Sequence, residues 1–188
     1  MFKNIESEIK TIISKSQVPE DSIHSKNTRE WVLKLKPEAD TALQIAALGH
    51  DIERSIEQRK IKRENFTDYD EFKKAHSQNS ATILQEILLK YDVNQNFIDK
   101  VVNLVLLHEF GGTLEANILK YADSISFFDV NLPFYFQRNS ERETAFRMKW
   151  GYKKLSQFAK SIVRNFSYDN VELEALFNKI VSQHSYNL

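Results

Sequence analysis

The sequence predicts an all-α fold, and three observations predict it. In segment after segment, apolar residues recur three and four positions apart, the spacing of one face of a helix. Only 4 glycines and 3 prolines occur in 188 residues, so turns are few and helices are favoured. Polar capping residues and the scarce Gly and Pro fall between the periodic segments, where helices should start and stop.

Phe2 to Lys15 places Ile5, Ile9, Ile12 and Ile13 on one helical face. Pro19 breaks this helix. Asp21 or Ser22 is expected to cap a second one, which carries His24 in its first turn, then Trp31, Val32 and Leu35, and ends before Pro37. Trp31 is expected in the core. Pro37, Glu38 and Asp40 open Thr41 to Asp51, whose alanine-rich face implies close packing against other helices. Glu53 to Asn65 is densely and oppositely charged, as a solvated loop or helix face would be, and it directly follows His50-Asp51, where it can rim a site.

Tyr69 to Tyr91 reads as a long helix with Phe72, Ala75, Ile83, Leu84, Ile87 and Leu88 as its apolar set and His76 in its first half. Asn94 or Asn96 starts the next, which carries Phe97, Ile98, Val101, Val102 and Val105 to His108 and stops at Gly111-Gly112. Thr113 or Glu115 begins a helix through Leu119 and Asp123 to Val130, with Pro133 as its stop. The aromatic-dense stretch Ser126 to Phe136 is expected to pack as core, a ligand-stacking wall or a homodimer contact being the alternatives. Ser140 to Phe166 and Asn170 to His184 complete the chain. Arg142, Arg147, Lys149, Lys153 and Lys154 suit a solvated basic face, with a stripe of Arg147 and Lys154, seven residues apart, reaching an anionic ligand as the alternative.

One domain over residues 1–188 is expected, with no linker, internal repeat or low-complexity segment. The 26 basic and 26 acidic residues balance, so no global field draws nucleic acid or an anionic membrane. Absence of cysteine excludes disulfides, thiolate metal sites and cysteine nucleophiles, leaving imidazole and carboxylate as ligands. The opening residues lack a long apolar core, and the run near Val101 to Leu107 is too short to span a bilayer. A cytoplasmic protein with no membrane partner is expected.

The chemistry concentrates where the apolar helix Ala42 to Leu48 ends in His50-Asp51. An imidazole and a carboxylate side by side at the end of a buried segment are costly to desolvate without partners, and both are metal ligands. Candidate partners lie upstream at His24 and downstream at His76, His108 and Asp123. His184 stands apart from this order.

The order His24, His50-Asp51, His76, His108, Asp123, with the doublet in ALGHDIERS and the last Asp in KYADSISFF, resembles the HD-domain superfamily of metal-dependent phosphohydrolases. The resemblance covers about residues 21–129 and implies a compact helical bundle, here with additional C-terminal helices over about 140–184. It implies His24, His50, Asp51 and Asp123 as ligands of a divalent metal (manganese, iron, cobalt, nickel, zinc or magnesium). His76 and His108 match the additional histidines of two-metal members, or alternatively contact substrate phosphate.

The same resemblance implies hydrolysis of a small phosphate ester, a nucleotide or related metabolite, by a metal-activated water. Asp51 would join ligation to catalysis, and Arg54, one helical turn on, would hold phosphoryl oxygens unless it forms a surface ion pair. Glu53 and Glu109 compete for the role of acid, a surface ion pair with Arg54 being the alternative for Glu53, and Lys120 is expected at the surface with an anion contact as its alternative. Two rival readings are a di-iron oxygenase, which a minority of the superfamily uses this ligand order to build, and a regulatory module that binds metal and nucleotide with little turnover. Motifs of alarmone, cyclic-nucleotide and cyclic-dinucleotide hydrolases, including a Gly-Tyr-Pro near the doublet, are absent.

Overall fold

The computed structural model describes residues 1–183, and His184 lies outside the described residues. Among them the fold is all-helical. Its elements are α1 (Phe2–Ile13), α2 (Asp21–Leu35), α3 (Thr41–Gly49), 3-10 turns at Ile52–Ser55 and Arg63–Asn65, α4 (Tyr69–Leu88), α5 (Gln95–Leu107) and α6 (Leu114–Ser126). A π turn, Phe127–Asn131, leads into α7 (Leu132–Arg138), followed by α8 (Glu141–Lys153), α9 (Gln157–Val163) and α10 (Val171–Gln183).

Capping side chains set most of the starts. Asp40, Asp68, Asn94, Thr113 and Ser140 each accept from a backbone N–H three residues on, relieving one of the donors a helix start leaves unpaired. Asn94 and Thr113 thereby take the roles shared in sequence with Asn96 and Glu115. Asp21 and Ser22 are not caps: Glu20 occupies the cap position of α2 without a side-chain bond, and the buried Asp21 carboxylate accepts from Ser16 Oγ and pairs with Arg54.

Two expected boundaries move. Pro133 does not end a helix. It occupies the start of α7, where a missing N–H costs little, and the π turn joins α6 to α7 without a break. The expected helix from Ser140 to Phe166 is two helices, because Ser156 accepts from Ala159 N and starts α9 afresh.

Two apolar clusters hold the bundle. The first is built on Ile5, Ile9, Leu43, Leu48, Leu84, Leu88, Val101 and Leu119, and the second on Ile125, Phe128, Leu132, Tyr152, Val163 and Phe177. Trp31 and Leu35 of α2 pack against both. Trp31 also donates its indole N–H to Asp129 at 2.8 Å, which ties α2 to the π turn. Gly49 leaves room for a neighbour: a Cβ there would lie 2.6 Å from Leu84 Cδ2, so the Leu84 side chain of α4 packs directly on the α3 backbone. Among the described residues no helix is long and apolar enough to cross a membrane.

Candidate metal centre

Six side chains from α2, α3, α4, α5, α6 and the residue after α3 converge on one buried point. His24 comes from the first turn of α2, His76 from within α4 and Asp123 from the last turn of α6. His50 and His108 occupy the C-cap positions of α3 and α5, and Asp51 follows His50. All four imidazoles are buried.

Each ring commits its Nδ1 outward. His50 and His108 donate to carbonyls one turn back, Ala47 at 2.9 Å and Val105 at 2.7 Å, using acceptors that helix ends leave free. His76 donates to Glu53 Oε1 at 2.7 Å, and His24 to Ser126 Oγ at 2.9 Å, whose own hydroxyl points to the His24 carbonyl. Such partners fix the tautomer and turn the other nitrogen toward a metal.

The four Nε2 atoms therefore face inward onto two carboxylates. His24 Nε2 lies 3.2 Å from Asp123 Oδ1 and 3.2 Å from His50 Nε2. His50 Nε2 is 3.5 Å from Asp123 Oδ1 and 3.7 Å from Asp51 Oδ1. His76 Nε2 is 2.7 Å from Asp51 Oδ1. His108 Nε2, 3.8 Å from the same oxygen, is buried with no hydrogen-bond partner. The six residues fall into three overlapping groups that can hold a cation: His24-His50-Asp51, His50-His108-Asp123 and Asp51-His76-His108.

The electrostatics fit a cation at this point. Burial works against charge on Asp51, yet the adjoining His50, His76 and Arg54 hold it well below the usual carboxylate range; Asp123 is held low in the same way by His24, His50 and Lys154. Burial opposes a proton on His50, and Asp51 and Asp123 nevertheless lift it to about 9. His108, by contrast, is pushed down by burial and stays neutral. Two ionised carboxylates, inward Nε2 atoms and an orphaned imidazole nitrogen on His108 form a donor set that a divalent cation satisfies, in competition with the proton that Asp51 and Asp123 favour on His50.

The description "Domain of unknown function (DUF4202)" belongs to a family model that matches residues 4–176, a span containing all six residues. The chain belongs to the DUF4202 family. No curated protein and no solved structure matches it.

In this DUF4202 chain the other expected site residues take different positions. Arg54 is no surface pair: Nη1 donates to Asp51 Oδ2 at 2.8 Å and Nη2 lies 3.0 Å from Asp21 Oδ1. Glu53, expected in a solvated stretch, is buried with both oxygens engaged, by His76 and by Ile61 N at 2.7 Å. Glu109 is buried between Lys73 and Lys154, with Lys154 Nζ at 2.5 Å from Oε2. Burial would raise its pKa, but these lysines hold it well below the usual range, so it is ionised and unsuited to donate a proton. The stripe of Arg147 and Lys154 faces the centre: Lys154 reaches within 3.8 Å of Asp123, and Arg147 lines the cleft above it. Lys120 instead turns to the Phe110 carbonyl at 3.4 Å.

That cleft, about 230 Å³, exposes His24, Asp51, His76 and Asp123 at its base. Arg54, Lys73 and Arg147 give it cations, and Tyr69, Phe72, Phe127 and Tyr135 give it rings. The mixed-charge segment does rim it, through Lys60, Ile61 and Arg63. Of the aromatic-dense stretch, Phe128 is core as expected, whereas Phe127 and Tyr135 also face the cleft. A wider depression of about 480 Å³ between α1 and α2, lined by Lys3, Lys10 and Lys26, contains none of the six residues.

Ser126, Asp21 and Lys73 escaped the sequence reading. Lys73 had a signal, since it precedes His76 by three residues and so shares its helix face. Serine and aspartate near a helix start read first as structural, and their link to His24 and Arg54 exists only in three dimensions.

Proposed function

We propose that this protein is an HD-type, metal-dependent phosphohydrolase acting on a small phosphate ester of the nucleotide or phosphorylated-metabolite class. The observation that carries the reading is the arrangement of four imidazoles, each with Nδ1 bonded outward and Nε2 aimed at Asp51 or Asp123. Arrival of both His76 and His108 at the cluster supports room for two metals rather than one. A divalent cation held by these residues supplies a lowered pKa for coordinated water and polarisation of a phosphoryl oxygen.

The chain's own groups do the rest. Arg54, anchored by Asp21 and Asp51 at the cleft wall, presents its guanidinium to phosphoryl oxygens. Lys73, an ammonium lining the same cleft and paired with Glu109, supports a role as hydrogen-bond donor to the departing ester oxygen. Glu53 orients His76 and transfers no proton itself. Hydrolysis adds water oxygen to phosphorus, breaks the ester P–O bond and leaves the proton on the departing oxygen.

The test is elemental analysis of protein purified without chelator or metal-binding tag, followed by phosphate release across a panel of phosphate esters after loading with manganese, iron or zinc. Turnover that follows metal content supports the reading. Metal-loaded protein that releases no phosphate from any ester overturns it, and two equivalents of iron with oxygen-dependent turnover would point to oxygenase chemistry on the same ligands.

A further inference from the structure

The cleft has one wall that neither the metal ligands nor the hydrolytic groups use. It is built by the π turn and α8, and two of its polar groups lack partners. Arg147 of α8 is half-buried, its guanidinium stacked 4.3 Å over the Phe127 ring and 5.1 Å from Trp150. It forms no ion pair with any described carboxylate, although Glu143, one turn earlier on α8, lines the same cleft. Of the other arginines lining this cleft, Arg54 pairs with Asp21 and Asp51, and Arg63 at the rim donates to the Phe66 carbonyl. Asn131 of the π turn lines the cleft as well; the residue is 4% exposed and its side-chain oxygen has no hydrogen-bond partner.

A buried amide oxygen without a donor is destabilising, and a partly desolvated guanidinium that no carboxylate contacts directly, with Glu109 and Asp123 acting on it only at longer range, keeps its donors free for an anion. Stacking on Phe127 fixes the plane of the Arg147 fork, which suits the bidentate grip of a carboxylate or phosphate. Such a pair on a wall separate from the His/Asp cluster makes sense for a ligand with two polar ends.

We propose that Arg147 and Asn131 form a second subsite, so that the ligand of this cleft is a phosphate ester carrying a further anionic group, carboxylate or phosphate, together with an adjacent hydroxyl or N–H. The anion lies on Arg147 and the hydroxyl or N–H donates to Asn131. This rests on the phosphohydrolase reading only for the identity of the first group.

Binding of two matched pairs to the metal-loaded full chain tests it at fixed ionic strength: glycerol 3-phosphate against 3-phosphoglycerate, and adenosine 5′-monophosphate against adenosine 3′,5′-bisphosphate. The doubly anionic member of at least one pair is expected to bind tenfold or more tightly. Arg147→Ala should abolish that preference while leaving the singly anionic partner unchanged, and Arg147→Lys should restore part of it. Asn131→Leu should weaken the doubly anionic ligand without changing metal content. Equal binding within both pairs, no binding of any of the four, or an Arg147→Ala variant that weakens both members alike overturns the subsite. Phosphate release measured in parallel separates the two readings: preference without turnover overturns the hydrolase and keeps the subsite, whereas turnover without preference does the reverse.

Discussion

The Nε2 atoms of His24 and His50 face each other 3.2 Å apart, both turned toward Asp123 Oδ1. Each ring has committed its Nδ1 proton elsewhere, so two lone pairs meet at short range in a buried site. Only a shared proton or a cation relieves that repulsion.

In metal-free protein the proton does the work, and stability should report it. Burial opposes the charge on His50, but Asp51 and Asp123 raise its pKa from 6.5 to about 9. A raised folded-state pKa stabilises fully below about 6.5 and loses that contribution as pH climbs to about 9, up to roughly 3 kcal/mol. The melting temperature of chelator-treated protein is therefore expected to fall over pH 6.5 to 9, and that of metal-loaded protein to fall less. A flat profile without metal would contradict this balance.

Asp51→Asn should empty the centre. Asp51 is the carboxylate that His76 Nε2 contacts at 2.7 Å and that His24, His50 and His108 also approach. Metal per chain by elemental analysis is expected to drop close to zero while far-ultraviolet circular dichroism stays helical. Retention of full metal would remove Asp51 from the ligand set.

Glu53→Gln tests orientation rather than ligation. Its carboxylate accepts from His76 Nδ1 at 2.7 Å, and loss of such a partner typically weakens metal binding by about 10- to 100-fold. Metal titration should show that loss with the number of sites unchanged. An unaltered affinity would make Glu53 a mere packing group.

His76→Ala and His108→Ala distinguish one metal from two. Both histidines share the Asp51 side of the cluster. If two metals bind, each variant should keep about one equivalent and lose the other. Wild-type content of one equivalent, unchanged in both variants, would assign these histidines to the ligand instead.

Gly49→Ala should destabilise despite the better helix propensity of alanine. The new Cβ would meet Leu84 Cδ2 at 2.6 Å in the core, and overpacking of this kind costs about 1–3 kcal/mol. In a Leu84→Ala background the same substitution should cost markedly less, as a double-mutant cycle of chemical denaturation would measure. Equal cost in both backgrounds would show that α3 and α4 do not meet at Gly49.

Helix placement was legible from sequence because apolar spacing and start signals such as Asp40 and Asn94 act locally. The six His and Asp residues were legible for a different reason: their order along the chain, with His50-Asp51 closing an apolar helix, resembles that of the HD-domain superfamily, whereas any one of them alone would read as a hydrogen-bonded core residue. What sequence concealed depends on partners distant in the chain. Glu109 looked like a proton donor until Lys73 and Lys154 closed on it. Asp21 looked like a cap until Arg54 reached it, 33 positions along the chain by the difference of 54 and 21. Pro133 looked like a stop because a π turn carries no compositional mark.

That unbroken passage from α6 into α7 has a mechanical consequence. Asp123, Phe127, Asn131 and Tyr135 follow one another at intervals of four and all line the cleft. In a plain α-helix that stripe would swing round by roughly 120° from first to last. The wider π turn offsets the swing and keeps all four on one side of a single rod. The rod thus carries a candidate metal ligand at one end and the Tyr135 ring, which lines the cleft, at the other. α8 is tied to the same rod, by Arg147 stacked on Phe127 and by Lys154 at 3.8 Å from Asp123, so a shift of α8 would be felt at the candidate metal ligand.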